Sequence, residues 1–259
     1  MLDKLKVLED ILLRYGKICV AYSGGTDSDF LLNVAKKVLG DNVIAIIGNG
    51  AMVSGKDYED AVILAKSIGV EYYTIDVDIF EIQEFRYNSK KRCYYCKKNI
   101  MGGIIKKAEE LGFSTIADGK NFDDGGEYRP GAMAAEEMGI VSPLFEAGFT
   151  KAEIRSVAKE LGLETWNKAS NSCLATRFPY NTLLTAEKLN MVERAEKLIA
   201  DCKIKSVRVR LQGDIARIEM QKEFFEEFMK NDELIIKIKE IGFKYITLDL
   251  EGFRSGSLD

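Results

Sequence analysis

Ser23-Gly24-Gly25-Thr26-Asp27-Ser28 follows an apolar run, Ile18-Cys-Val-Ala-Tyr22, and opens an amphipathic one from Asp27 to Leu39. A strand, a tight Gly-Gly turn and a helix start aim free backbone N–H groups and the positive end of a helix dipole at one point, which favours an anion. Gly24 and Gly25 let the backbone approach that anion closely, and Ser23 and Ser28 add hydroxyl donors. Asp27 would repel a bare phosphate, so its presence implies Mg²⁺ between carboxylate and phosphate. The stretch holds no lysine and does not match G-x-x-x-x-G-K-[ST], so the common P-loop is excluded. The plainer alternative is a Ser/Gly turn with Asp27 capping the helix. A second grouping is Cys93-Tyr-Tyr-Cys96, set among Lys90, Lys91, Arg92, Lys97 and Lys98. Such a pair can be a redox couple, half of a zinc site or two ligands of an iron–sulfur cluster. Cys173, in Asn171-Ser-Cys-Leu-Ala-Thr-Arg177, is a third candidate ligand. Three thiolates on a [4Fe–4S] cube leave one iron open for a labile sulfide, which is a nucleophile. Arg177, close to Cys173, can hold a phosphate or activate the thiol. Cys19, inside a strand, and Cys202, late in a helix, read as structural.

The elements that must position these groups alternate. Residues 2–15 read as a helix, 43–47 as a second apolar strand, 56–68 as a helix stopped at Gly69, and 71–76 as a third strand. The polar segment from Arg86 to Lys98 then carries the paired cysteines, and a helix runs on to Leu111. Ser114–Asp118 reads as a fourth strand ending in Asp118-Gly119-Lys120-Asn121, Ile140–Pro143 as a short fifth, and 150–161 as a helix with Thr150 and Glu153 in capping-box spacing. The pattern predicts an α/β fold: a parallel five-stranded sheet with helices on both faces, binding ligands at the carboxyl ends of its strands. There Ser23 and Asp118 lie. Arg129, just before Pro130, presents a planar fork suited to phosphate or carboxylate. After about residue 176 the pattern changes to a helix, two alternating strands (207–211 and 216–220), a helical stretch and a last strand (245–250). Residues 1–176 are therefore expected to form the α/β domain and 177–259 a small α+β domain with an antiparallel sheet, the two sharing a cleft. Arg208 and Arg210 share one face of a strand, an arrangement that more often meets solvent or carboxylates than a ligand. Glu196, Glu219 and Asp232 are acids able to hold a metal, but nothing local singles them out.

Composition narrows the classes. With 46% hydrophobic and 30% charged residues the chain is of ordinary globular type. No apolar run approaches the roughly 20 residues of a membrane span, and the amphipathic start does not resemble a signal peptide, so a cytoplasmic protein with no membrane partner is expected. Five cysteines in such a chain are not expected to be disulfide staples. A net charge of −4 argues against general nucleic-acid binding. The absence of histidine excludes histidine bases, triads and metal ligands, leaving Cys, Asp, Glu, Lys and Tyr for chemistry.

The loop resembles the SGG-x-D-S pyrophosphate loop of enzymes that split ATP into AMP and pyrophosphate. Over almost its whole length the chain resembles the LarE family of PP-loop sulfur transferases, which act in making the nickel-pincer nucleotide cofactor of lactate racemase. The strings that carry the likeness include Asp118–Asn121, Tyr128-Arg-Pro-Gly131, Ser142-Pro-Leu144, Thr150-Lys-x-x-Ile-Arg155 and Leu161-Gly-Leu163. Further on come Thr165-Trp-Asn-Lys168, Arg177-Phe-Pro-Tyr180, Arg208-Val-Arg210, Ile215-Ala-Arg-Ile-Glu219 and Thr247-Leu-Asp-Leu-Glu-Gly-Phe-Arg-Ser-Gly256.

The resemblance implies that a carboxylate of pyridinium-3,5-biscarboxylic acid mononucleotide is adenylylated by ATP, and that a sulfur nucleophile then displaces AMP to leave a thiocarboxylate. It implies that Ala21, Ser23, Gly24, Gly25, Asp27, Ser28, Asp118, Gly119 and Arg129 hold ATP and Mg²⁺. Arg177, Arg208 and Arg210 would hold the mononucleotide's phosphate. The second domain is expected to serve substrate binding and homo-oligomer formation. Some members sacrifice the sulfur of one cysteine in the region of Cys173; others carry a CxxC as well and hold a [4Fe–4S] cluster. Cys93 and Cys96 place this chain with the latter, with Cys93, Cys96 and Cys173 as ligands and an unknown sulfide donor as partner. Thr26 stands where valine is usual and Asn181 where glycine is frequent, which leaves the acceptor open. A tRNA thiolase, an amide-forming ligase and a non-catalytic nucleotide or iron sensor are the alternatives.

Overall fold

The computed structural model describes residues 2–125, 130–169, 171–204 and 206–254. Among these the chain splits into two compact units, Met1–Ile79 with Lys91–Ser170, and Phe80–Lys90 with Asn171–Asp259.

In the first unit, Leu2–Tyr15 (α1) buries Leu8, Ile11 and Leu12 along one stripe. Ile18–Ala21 (β1), Thr26–Leu39 (α2), Val43–Asn49 (β2), Gly55–Ile68 (α3) and Glu71–Asp76 (β3) follow. After a short helix, Gln83–Arg86 (α4), come Arg92–Glu110 (α5), Ile116–Ala117 (β4), Pro130–Glu137 (α6), Pro143–Glu146 (α7) and Lys151–Glu160 (α8). The sheet is parallel, in the order β3-β2-β1-β4. β1 and the start of β2 are buried on both faces, as the continuous apolar runs require. Val20, Phe30, Leu31, Phe149 and Ile154 belong to one core layer, and Cys19, Ile44, Ile46, Met101 and Ile104 to the other.

The expected fifth strand is reduced to a single parallel bridge between Ala117 and Val141. Val141 N donates to Ile116 O and Asp118 N to Val141 O, each at 2.9 Å. Two residues later Pro143 removes a donor and opens α7, so the ladder stops. The sheet therefore has four strands. The paired cysteines stand within α5, which begins earlier than the polar sequence around them suggests. That helix runs over β3 so closely that a Cβ on Gly103 would come within 2.9 Å of the Ile75 side chain.

The second unit contains α4, Ala186–Asp201 (α9), Arg208–Gln212 (β5), Ile215–Glu219 (β6), Phe225–Met229 (α10), Asp232–Glu240 (α11) and Tyr245–Leu248 (β7). β5 and β6 form an antiparallel hairpin, but β7 lies parallel to β6, so the small sheet is mixed and not antiparallel. The reason is the connection: α10 and α11 carry the chain back along the sheet before β7 begins. Residues 80–90 join this unit because Phe85 is buried and Asn88 Nδ2 donates to Phe178 O (3.0 Å) and Pro179 O (2.9 Å). Asn181, whose N–H donates to Asn88 O at 3.2 Å, has φ of +62°, a region open to glycine and tolerated by asparagine. Among the described residues no helix is long and apolar enough to cross a membrane.

Candidate functional site

β1 delivers the chain to the loop, with Tyr22 N continuing the ladder onto Ile46 O at 2.9 Å. Gly24 then turns at φ +66°, and a Cβ there would stand 2.8 Å from both Cα and Cβ of Ala61 on α3. Only glycine fits that approach. Ser23 Oγ and Ser28 Oγ lie 3.1 Å apart, and Ser28 Oγ donates to Gly25 O at 3.1 Å, closing the loop on itself. The N-cap of α2 is Gly25, and no side chain caps this helix. By contrast Ser54, Thr150, Thr185 and Asn231 cap α3, α8, α9 and α11 with their own oxygens. Asp27 sits inside the first turn and does not act as the cap. The uncapped end carries the positive pole of the helix dipole and suits an anion.

The first turn of α2 holds two acids with different surroundings. Asp29, 2% exposed, accepts from Tyr22 Oη at 2.7 Å and from Thr165 Oγ1 at 2.6 Å. Burial, with Asp29 beside it, pushes the Tyr22 phenol far above its usual range, so it stays a donor. Thr26 Oγ1 donates to Thr165 O at 2.7 Å, and together these bonds pin the helix start. Asp27 Oδ2 accepts from Lys151 Nζ at 2.6 Å and Asn121 Nδ2 at 3.3 Å, whereas its buried Oδ1 has no hydrogen-bond partner among the described residues. Lys168 Nζ reaches Gly24 O (3.2 Å) and Asp60 Oδ2 (3.1 Å). Asp29, Thr165, Lys151 and Lys168 were not singled out as site residues.

Asp118 and Gly119 arrive at the same place from the end of β4. Asp118 Oδ1 accepts from Ser142 Oγ at 2.8 Å and Lys120 N at 3.1 Å, and Lys97 Nζ lies 3.8 Å from Oδ2. A Cβ on Gly119 would lie 2.9 Å from Ser28 N, so the segment presses on the backbone of the loop. Ala21 ends β1 beside these residues. Arg129 lies outside the described residues, as do Glu127 and Tyr128.

Cys93 and Cys96 stand three apart at the start of α5, which places them on one face; Cys93 is exposed and Cys96 half-buried. Cys19, fully buried in β1, is pushed up to about 12 by burial and is inert. Among the described residues no three Cys, Asp or Glu side chains form a group that could hold a metal ion. Cys93, Cys96 and Cys173 are thus not brought together in one group, and the paired thiols alone are donors of the type found in redox couples, zinc sites and iron–sulfur clusters alike.

In the second unit, Cys173 is the N-cap of a 3₁₀ turn, Leu174–Arg177, and its Sγ accepts from Ala175 N at 3.4 Å. Arg177, 2% exposed, grips the same segment: Nη1 donates to Ser172 Oγ (2.8 Å), Ser172 O (3.0 Å) and Thr176 Oγ1 (2.9 Å). Nε and Nη2 bind both oxygens of Glu196 at 2.8 and 3.0 Å. The guanidinium expected to meet a phosphate or the thiol is thus engaged in holding the Cys173 segment on α9. Arg210 Nη1 donates to Thr176 O at 2.6 Å and Nη2 to Glu219 at 2.9 Å, with Arg217 on the other Glu219 oxygen at 3.0 Å. Arg208 donates to Asn171 Oδ1 at 3.1 Å and stacks over Phe253. Both strand arginines are therefore buried, Arg210 beside a carboxylate.

The NAD synthase family model matches residues 6–102. The chain is 37% identical over 245 residues to the pyridinium-3,5-bisthiocarboxylic acid mononucleotide synthase of Lactiplantibacillus plantarum, covering 94% of this chain and 89% of that one. It is also 37% identical to an uncharacterised protein of Synechocystis sp., over 99% of this chain and 97% of that one. A tRNA-specific 2-thiouridylase of Rickettsia rickettsii is 26% identical over 70% of this chain and 60% of its own length. An uncapped SGG-x-D-S loop at the head of α2, and identity sustained through the second unit, agree: the chain belongs to the LarE family of PP-loop sulfur transferases.

Proposed function

We propose that this protein is an ATP-dependent sulfur transferase that adenylylates a carboxylate of pyridinium-3,5-biscarboxylic acid mononucleotide and converts it to a thiocarboxylate. The observation that carries the reading is the loop: an α2 start without a side-chain cap, flanked by an Asp27 oxygen that lacks a partner among the described residues. The substrate carboxylate attacks the α-phosphorus of ATP, the bond to the bridging oxygen breaks, and pyrophosphate leaves onto the N–H groups and hydroxyls of Ser23–Ser28. Adenylylation is needed because a free carboxylate is a poor acyl donor and AMP a good leaving group. Asp27 Oδ1 would hold Mg²⁺, and the Asp118–Gly119 segment, with Ala21 and Arg129, would line the nucleotide. A sulfur nucleophile then attacks the acyl carbon and AMP departs with the electron pair of the C–O bond.

Cys93, Cys96 and Cys173 would hold a [4Fe–4S] cluster, which supplies, when bound, a sulfide nucleophile at its open iron. Arg177 positions the Cys173 segment, and Arg208 and Arg210 would meet the mononucleotide's phosphate. The second unit would also mediate homo-oligomer formation, which sedimentation velocity checks. Anaerobic purification with iron and sulfide analysis tests the cluster. Each of Cys93→Ala, Cys96→Ala and Cys173→Ala is expected to abolish iron and sulfur transfer while pyrophosphate release persists. Iron-free protein in which only Cys173→Ala matters would make Cys173 the sacrificial donor instead. The thiouridylase match favours RNA as a second acceptor; the net charge of −4 opposes it. Tight, salt-sensitive binding of bulk tRNA in a gel shift would reverse that preference.

A further inference from the structure

The chain passes from one unit to the other at 79–80, 90–91 and 170–171. Cys93 and Cys173 are each the third residue beyond such a crossing. Just before Cys93 lies a clasp that belongs wholly to the second unit. Asn88, 0% exposed, donates through Nδ2 to Phe178 O at 3.0 Å and to Pro179 O at 2.9 Å. Its own carbonyl accepts from Asn181 N at 3.2 Å, and Leu184 N donates to Arg86 O at 2.8 Å. Two features of Asn88 work against stability. Its φ is +48°, a region few side chains adopt, and its Oδ1 is buried without a hydrogen-bond partner among the described residues. A strained backbone and an unmet acceptor kept at one residue point to a geometry retained for more than stability. What they secure is an amide with two donors for two carbonyls; an aspartate there would set oxygen against oxygen.

Resting on the reading above that Cys93, Cys96 and Cys173 act together, we propose that Asn88 is a positioning residue for those thiols. Five residues lead from Asn88 to Cys93, and five from Cys173 to Phe178. Fully extended, each arm reaches at most about 18 Å. The second is shorter still, because Leu174–Arg177 is coiled into the 3₁₀ turn that Arg177 grips. Asn88 fastens the inner ends of both arms to one point, so the chain that enters α5 and the chain that leaves the Cys173 turn share an anchor. It acts on the thiols through the backbone and touches no reacting atom.

The test compares the full chain as wild type, Asn88→Gly, Asn88→Asp and Asn231→Ala. Glycine accepts φ near +48° and removes only the amide, whereas aspartate keeps the size and loses the donors. Asn231→Ala removes the cap of α11 and controls for lost stability alone. Two quantities are read well below each melting temperature. One is iron and sulfide content after anaerobic purification. The other, in reduced and chelator-treated protein, is the rate at which a bis-maleimide bridges Cys173 to Cys93 or Cys96, mapped by mass spectrometry. Both Asn88 variants should bridge at least about tenfold more slowly than wild type, as the effective concentration of one thiol near the other falls, and should lose most of the iron. Asn231→Ala should match wild type in both. Asn88 variants that melt lower yet bridge and hold iron as Asn231→Ala does overturn the inference and leave the three-thiol reading standing. A wild type that neither bridges Cys173 to the pair nor holds iron overturns both.

Discussion

Gly119→Ala adds one methyl group at the most crowded point of the loop. The new Cβ would lie 2.9 Å from Ser28 N, 3.1 Å from Ser28 Cα and 3.2 Å from Asp27 C. Non-bonded carbon contacts are comfortable at about 3.5–4.0 Å, so the two segments must part by roughly half an ångström. All three neighbours are backbone atoms of α2, which cannot rotate away. They are also pinned, through Thr26 and Asp29, to Thr165 and Tyr22. The yield therefore falls on residues 118–121, loosening Ser142 from Asp118 and Asn121 from Asp27. Overpacking of this kind costs about 1–3 kcal/mol, a fall of roughly 2–12 °C in melting temperature for a chain this size. Displacement of the loop should lower pyrophosphate release by about tenfold or more. Differential scanning fluorimetry and a coupled pyrophosphate assay read the two effects. Gly131→Ala is the control, because its Cβ would stand 3.6 Å from Cys93 O in ordinary contact. A Gly119→Ala protein that melts within a degree of wild type and turns over ATP normally would refute the argument that this contact sets the loop.

Glu196→Ala leaves the Arg177 guanidinium buried without its carboxylate, a loss of about 3–5 kcal/mol; the released segment should let Cys173 alkylate faster, measured by mass spectrometry after iodoacetamide. Asn181→Gly should be neutral within about 0.5 kcal/mol in urea denaturation, whereas Asn181→Val, forced to φ near +62°, should lose about 1–2 kcal/mol. Lys4 Nζ binds both oxygens of Glu153, at 2.8 and 2.7 Å, and with Thr150 holds that carboxyl at about 2, below the usual 4.5. A depressed carboxyl stabilises the fold above the unfolded value and loses that stability as pH falls through the folded one. Lys4→Met should therefore cost about 0.5–1 kcal/mol at neutral pH, discounted because the pair is partly exposed, and the gap should close between pH 4.5 and 2.

The loop was legible in the sequence because everything that builds it is local: an apolar strand, two glycines and a helix start within a dozen residues. Its supports were not, since Lys151 meets Asp27 across 124 positions and Thr165 meets Asp29 across 136. Lys151 reads as an ordinary charge at a helix start until the fold places Asp27 against it. The start of α5 was hidden for a different reason. Its N-cap, Lys91, offers no side-chain cap, so no capping residue announces the helix. The fifth strand failed because Pro143 cuts the pairing at one residue, and the direction of β7 failed because strand sense depends on the crossover, not on the strand's own residues.

Asp27 and Asp29 lie two apart in one turn, so intrinsic chemistry cannot separate them. Partners do. Asp29 has a hydroxyl donor on each carboxylate oxygen, and its burial makes that pairing obligatory. Asp27 has both donors on one oxygen and, among the described residues, none on the other. In the second unit Arg177 resembles Asp29 in this respect. Arg177 is enclosed by Glu196 and the Ser172–Thr176 segment, so its charge fixes geometry, and moving it would leave the Glu196 carboxylate without its cation, with the Val209 N–H on one oxygen. With its Nε, Nη1 and Nη2 donors engaged inside the fold, Arg177 acts on the Cys173 segment by holding it, however suggestive its position beside that thiol. The carboxylate with one oxygen unmet among the described residues, at the head of a helix without a side-chain cap, is the better candidate for a ligand.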